Sequence, residues 1–172
     1  DELISFEEVE RLIYSSPNHE VSAYFKSVER GTEIKTFKAV LRGVHTEPGL
    51  KVIMFVTNHS IAGGMSGSPF YVNGKQIGAL AYSFNDPRSN SDWFWGGISP
   101  LSMMLQEADS GPGNFSAPRT FIYKGMTFEP ISFGYESVGV STDSVDNLLT
   151  SVTGKSLKPG MPIVVDLIEW KD

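Results

Sequence analysis

Short runs of β-branched and aromatic residues, separated by turn signals, recur along the chain and limit what it can fold into. The dipeptide Pro48-Gly49 interrupts two such runs and is typical of a turn. Asn73-Gly74 lies between two further runs and predicts a tight hairpin, because both central residues of a type I′ turn need positive φ. The predicted strands are Val21–Val28, Ile34–Val44, Leu50–Thr57, Phe70–Val72, Gln76–Phe84, Thr120–Tyr123, Ile131–Val140 and Met161–Trp170. This pattern predicts a mainly β fold.

Two or three short helices accompany the predicted strands. Ser5 and Glu8 have the spacing of a capping box, which predicts a helix over Ile4–Ile13. Ser99 as N-cap and Pro100 as the first helical residue predict a second helix through Ala108. A third is predicted from about residue 145 to residue 154.

Charge and composition restrict the classes of partner. The chain has 172 residues, enough for one ordinary domain, and 40% of them are apolar, enough to bury one core. Its net charge is −6, without a Lys/Arg cluster, so we expect no nucleic-acid partner. It has no cysteine and only three scattered histidines, so we expect neither a metal site nor a cofactor. Its apolar stretches, such as Val52–Val56, are too short to predict a membrane span.

A segment rich in Gly and Pro, at residues 109–116, divides the chain. It is typical of a linker, because its first six residues contain no apolar side chain. We therefore predict a β domain over residues 1–108 and a small β-rich extension over residues 117–172, packed on or continuing the same domain.

The segment whose residues suggest a reactive site is Gly-Met-Ser-Gly-Ser-Pro at residues 64–69. A serine between glycines in a tight turn is typical of nucleophilic acyl-transfer sites, because glycine permits strained dihedrals and leaves room for a substrate carbonyl. This makes Ser66 the candidate nucleophile. By analogy with similar turns in serine peptidases, the N–H groups of Gly64 and Ser66 are the candidate oxyanion donors. The alternative is an ordinary turn in which Ser66 and Ser68 are solvated.

This segment and its surroundings resemble the SpoIVB-type serine peptidases of bacteria and their envelope-protein relatives. The resemblance also includes Asn-Gly-Lys at residues 73–75, Ile-Gly-Ala at 77–79 and Asn-Asp-Pro at 85–87. It covers roughly residues 20 to 108 and, more faintly, residues 157 to 170.

The resemblance implies a serine endopeptidase with a trypsin-like β-barrel domain, in which Ser66 is the nucleophile and Gly64 belongs to the catalytic turn. It allows that the chain is only part of the full catalytic unit. It also implies a protein or peptide substrate and an extracytoplasmic location in bacteria, periplasmic or in the envelope.

Two elements of the family pattern are absent from this sequence. The general base of the family is a His in a Gly-His motif, and none of His19, His45 and His59 follows a glycine. We therefore expect the catalytic His outside this chain, with His59, seven residues before Ser66, as the local alternative. No aspartate lies between Asp1 and Asp86, so the acid member is absent at the matching position. These departures favour an alternative, namely a non-catalytic peptide-binding or scaffolding module of the bacterial cell envelope with a degenerate peptidase fold.

An aromatic cluster allows two interpretations. Trp93, Phe94 and Trp95, with Tyr82 and Phe84, are suited to line a peptide groove. Aromatic residues in β-proteins more often occupy the core and the strand edges, which is the interpretation that we favour here.

Overall fold

The fold is a closed antiparallel β-barrel with a hairpin added to one side, as expected from the strand pattern. The computed structural model of the chain describes residues 3–28, 33–61, 63–84, 92–103 and 119–131. The strands are β1 (Val21–Val28), β2 (Ile34–Glu47), β3 (Leu50–Thr57), β4 (Pro69–Val72), β5 (Lys75–Ser83), β6 (Phe94–Pro100), β7 (Phe121–Tyr123) and β8 (Met126–Pro130). They pair in the order β4-β1-β2-β3-β6-β5-β8-β7. A further pairing between β4 and β5 closes the first six into a barrel. The predicted mainly β, barrel-type fold is confirmed.

The N-terminal helix is the predicted one. Helix α1 spans Phe6–Ser15 and begins with the expected capping box. The Ser5 hydroxyl accepts a hydrogen bond from the Glu8 N–H at 3.2 Å, and the Glu8 carboxylate accepts one from the Ser5 N–H at 3.4 Å. Short 3₁₀ turns occupy Pro17–His19 and Gly63–Met65. Among the described residues, no helix is long and apolar enough to cross a membrane.

Of two tight hairpins in the structure, the sequence predicts only one. Asn73 and Gly74, which join β4 to β5, have φ of 50° and 77°, so the predicted hairpin is confirmed. Lys124 and Gly125, which join β7 to β8, have φ of 48° and 76°. This second hairpin was not predicted, because a lysine at positive φ is uncommon.

The helix predicted at Ser99 and Pro100 begins later than expected. Both residues end β6, where Ser99 lies opposite Ala79 and Pro100 opposite Gly78 in β5. Helical residues begin at Leu101. Strand pairing therefore prevails over the local capping signal, and a proline is tolerated at a strand end.

Other predictions lie partly or wholly outside the described residues. These are the linker at 109–116, the rest of the helix to Ala108, residues 132–140 of a predicted strand, the helix near 145–154 and the strand at 161–170. The described hairpin β7–β8 falls within the predicted extension and pairs with β5 through Tyr82 opposite Pro130. The division into domains stays a prediction.

The barrel interior is an aromatic core closed at both ends. Phe25, Phe55 and Phe70 are fully buried, with ring centroids 4.6 to 6.2 Å apart. Helix α1 covers one end of the barrel, where the Ile4 N–H donates to the Gln76 carbonyl at the start of β5. The connection between β3 and β4 covers the other end and packs Met65 into the same core.

A second apolar cluster lies outside the barrel wall. Phe121 and Phe128 of the hairpin stack at 5.3 Å and pack against Tyr82 and Met54. The hairpin thus covers an outer face of the barrel that would otherwise expose apolar side chains.

The close approach at Gly96 yields a stability prediction. A Cβ there would lie 2.4 Å from Phe55 Cζ, while a Cβ at Gly64 would meet nothing within 4 Å. We expect Gly96→Ala to lower the free energy of unfolding by about 1–3 kcal/mol, because it overpacks the core. Gly64→Ala should change that free energy by less than about 0.5 kcal/mol. Urea titrations measure both, and equal midpoints for the two variants would contradict the prediction.

Candidate active site

The candidate site lies at one end of the barrel, on the connection from β3 to β4. In the ring of six strands, β3 and β4 lie on opposite sides, so the connection between them has to cross the end of the barrel. Ile61 and Met65 point into the barrel, and Met65 is 2% exposed. Gly64, which lies between them, is exposed on the outer surface of the barrel end.

Hydrogen bonds to β5 fix the turn that contains Ser66. The Gly67 N–H donates to the Leu80 carbonyl at 2.8 Å, and the Leu80 N–H donates to the Ser68 carbonyl at 2.9 Å. Gly67 has φ of 86°, a conformation that favours glycine. The predicted requirement for glycine at this position therefore has a structural basis, and the turn is bound to the barrel wall on both sides of Gly67.

The two serines of the motif have different environments. Ser68 is 8% exposed, and its hydroxyl donates to the Met65 carbonyl at 2.6 Å and lies 2.7 Å from the Ser27 hydroxyl. Ser66 is partly exposed, and within the described ranges its hydroxyl makes no hydrogen bond. Ser68 is thus a buried structural residue, and Ser66 is the serine of the motif that is partly open to solvent.

Gly64 and Ser66, the residues expected to supply the oxyanion donors, belong to this turn, where Gly64 is exposed and Ser66 is partly exposed. Space beside Gly64 is open, since a Cβ built there meets no atom within 4 Å. Gly64 and Ser66 thus lie in one turn with open space beside Gly64, and their role as oxyanion donors stays a prediction.

The histidines are engaged elsewhere. His59 Nδ1 lies 2.9 Å from the carbonyl oxygen of its neighbour Ser60, and its ring packs on Phe37 with centroids 4.4 Å apart. His45 Nε2 lies 3.0 Å from a Glu47 carboxylate oxygen, and the ring stacks on Phe121 at 4.7 Å. His19 contacts Tyr14 edge-on.

Within the described ranges, no histidine is hydrogen-bonded to the Ser66 hydroxyl. Asn58, which directly precedes His59, is exposed. Across the same ranges, no group of three or more His, Asp or Glu side chains is placed to hold a metal ion.

Two tyrosines have perturbed acidity. Burial raises the pKa of Tyr71, which stacks on Tyr24 with centroids 5.2 Å apart, and burial also raises the pKa of Tyr123. A raised pKa keeps both phenols neutral at physiological pH. Neither tyrosine is therefore suited to replace a histidine as general base.

The aromatic cluster divides between the two interpretations. Tyr82 is buried in the outer cluster, with Phe84 and Trp95 packed against that cluster, as expected for core and strand-edge residues. Trp93 is 54% exposed and lines a groove of about 330 Å³ on the outside of the barrel. The groove is also lined by Val40, Val56, Trp95 and the ion pair of Arg42 with Glu20.

Sequence reasoning missed Ser27, which contacts the motif from β1. The inward-facing positions of this strand are Val21, Ala23, Phe25 and Ser27. The sequence did contain a signal for this contact: after three apolar residues, Ser27 occupies the fourth inward-facing position of the strand. A buried hydroxyl requires a hydrogen-bonding partner, which could have indicated a contact with another polar residue.

Comparisons of the chain with protein-family models, with curated proteins and with solved structures find no match. What the chain does is therefore inferred from the geometry of the turn.

The contrast between the two serines of the motif leads to a prediction. Ser68→Ala should lower the free energy of unfolding by about 1–3 kcal/mol, because it leaves the buried Ser27 hydroxyl without its partner. Ser66→Ala should change that free energy by less than about 0.5 kcal/mol, because no hydrogen bond is lost. Thermal and urea unfolding of both variants measure the difference. A larger loss for Ser66→Ala than for Ser68→Ala would contradict it.

Proposed function

We propose that the chain carries the nucleophile of a serine endopeptidase of the SpoIVB type. The observation that carries this proposal is the placement of Ser66, a reachable hydroxyl on a turn fixed to β5, while Ser68 in the same motif is buried. A nucleophile needs such a support, because attack requires the reacting atoms to be held within about 3–3.5 Å of each other.

The proposed chemistry is acyl transfer. The Ser66 Oγ attacks the carbonyl carbon of a peptide, and the general base takes the hydroxyl proton. The negative charge that develops on the carbonyl oxygen is stabilised by hydrogen bonds that the N–H groups of Gly64 and Ser66 donate. The base then gives its proton to the leaving amine, and water hydrolyses the acyl-enzyme.

The general base comes from outside the described residues in this proposal. His59 and His45 have the partners described above, and the sequence has no Gly-His pair. We propose that a Gly-His segment supplies the imidazole from further along the same polypeptide. The substrate is a protein or peptide, and the location is the bacterial periplasm or envelope.

A second function is favoured by a separate observation, the groove beside Trp93. Its apolar floor of Val40 and Val56 and its ion pair of Arg42 with Glu20 suit an extended peptide that carries an apolar side chain. In this alternative the barrel is a non-catalytic peptide-binding or scaffolding module. Ser66→Ala would then retain binding, and Trp93→Ala would weaken it.

A covalent probe separates the two functions. We expect a fluorophosphonate to add one phosphonyl group, at Ser66, to the longest natural form of the protein. It should label the 172-residue chain much more slowly, because the proposal places the base outside this chain. Intact mass and peptide mapping measure both results.

The controls are Ser66→Ala, which should take no label, and Ser60→Ala, which removes an exposed neighbouring hydroxyl and should label like the wild type. Absence of an adduct in the longest natural form would refute the peptidase. Retention of peptide binding in Ser66→Ala would then support the module.

A further inference from the structure

A short chain of hydrogen bonds runs beneath Ser66, from β1 to the turn. The Ser68 hydroxyl lies 2.6 Å from the Met65 carbonyl oxygen and 2.7 Å from the Ser27 hydroxyl. A hydroxyl has one proton and a carbonyl oxygen only accepts, so Ser68 donates to Met65 and Ser27 donates to Ser68. The proton count therefore fixes the direction of the chain, from Ser27 through Ser68 to the Met65 carbonyl.

This chain sets the orientation of one peptide group. The Met65 carbonyl also accepts from the Ser68 N–H at 3.2 Å, so two donors hold it toward the buried side of the turn. In a planar trans peptide the C=O and the following N–H point in opposite directions. The N–H of Ser66 is therefore directed away from Ser68, back toward the 3₁₀ turn of Gly63–Met65.

We propose that Ser27 is a positioning residue for the Ser66 site. It acts through Ser68, whose hydroxyl it holds in the rotamer that binds the Met65 carbonyl, and so fixes the Met65–Ser66 peptide group from which the Ser66 side chain extends. This inference rests on the proposed function, since it concerns the same turn. Ser27 is 6% exposed and 41 residues from Ser68 in sequence, so it connects the turn to β1 while Gly67 connects it to β5.

The test is the kinetics of phosphonylation in the longest natural form of the protein, with Ser27→Ala as the variant. The maximal labelling rate should fall roughly fivefold to tenfold, the range expected from one buried hydrogen bond, while the apparent affinity for the probe stays unchanged. A loss that is merely structural would instead lower the fraction of protein that reacts and leave the rate of the folded fraction unchanged.

Two controls are available on the same strand. Ser22→Ala removes an exposed hydroxyl from β1 and should label like the wild type. Ser27→Thr keeps a hydroxyl and should recover most of the rate. If Ser27→Ala does not fold, the labelling rate of Ser27→Cys is compared with that of the wild type instead, because a thiol is a weak donor of similar size.

The outcomes distinguish this inference from the function on which it rests. A labelled wild type with a slower Ser27→Ala and an unchanged Ser22→Ala supports both. A labelled wild type with Ser27→Ala reacting at the same rate overturns the role of Ser27 and leaves the peptidase intact. A wild type that takes no label overturns the peptidase, and the role of Ser27 fails with it.

Discussion

The pairing of β4 with two strands at once is the constraint on which the barrel depends. This strand has four residues, yet it joins β1 through Phe25 opposite Phe70 and β5 through Pro69 opposite Ala79. Without it, β1 and β5 would each present an unpaired edge. Burial of Phe70 between Phe25 and Phe55 favours the closed form, because the apolar area of three aromatic rings leaves water together. The turn of Ser66 directly precedes this strand, so the position of the site follows from barrel closure.

The parts of the fold that the sequence predicts are those specified by neighbouring residues. The capping box of Ser5 and Glu8 and the hairpin of Asn73 and Gly74 each depend on residues within a few positions, and both are confirmed. The start of the helix after Ser99 was wrong because pairing with β5, a distant contact, decides it. Strand β8 was missed because Lys124 at positive φ carries no turn signal of its own.

The candidate site was predictable to a similar extent. The glycines and serines of the motif lie within six residues, so Gly64 and Ser66 could be named from sequence. The difference between Ser66 and Ser68 could not, because it arises from a contact with β1 across 41 residues. The orientation of the His59 ring could not be predicted from the sequence either, since it depends on packing against Phe37 of β2.

The links from the turn to β1 and β5 affect how the protein acquires and loses the ordered turn at Ser66. No continuous segment contains the turn together with its supports, because these come from two other parts of the chain, β1 and β5, and loop closure must precede such contacts during folding. A nascent chain therefore has no ordered turn at Ser66 until the ring of strands is complete. Conversely, a local opening at β4 would release the turn while the longer strands β2 and β3 remain paired, so the exposure of Ser68 would report partial unfolding before loss of secondary structure does.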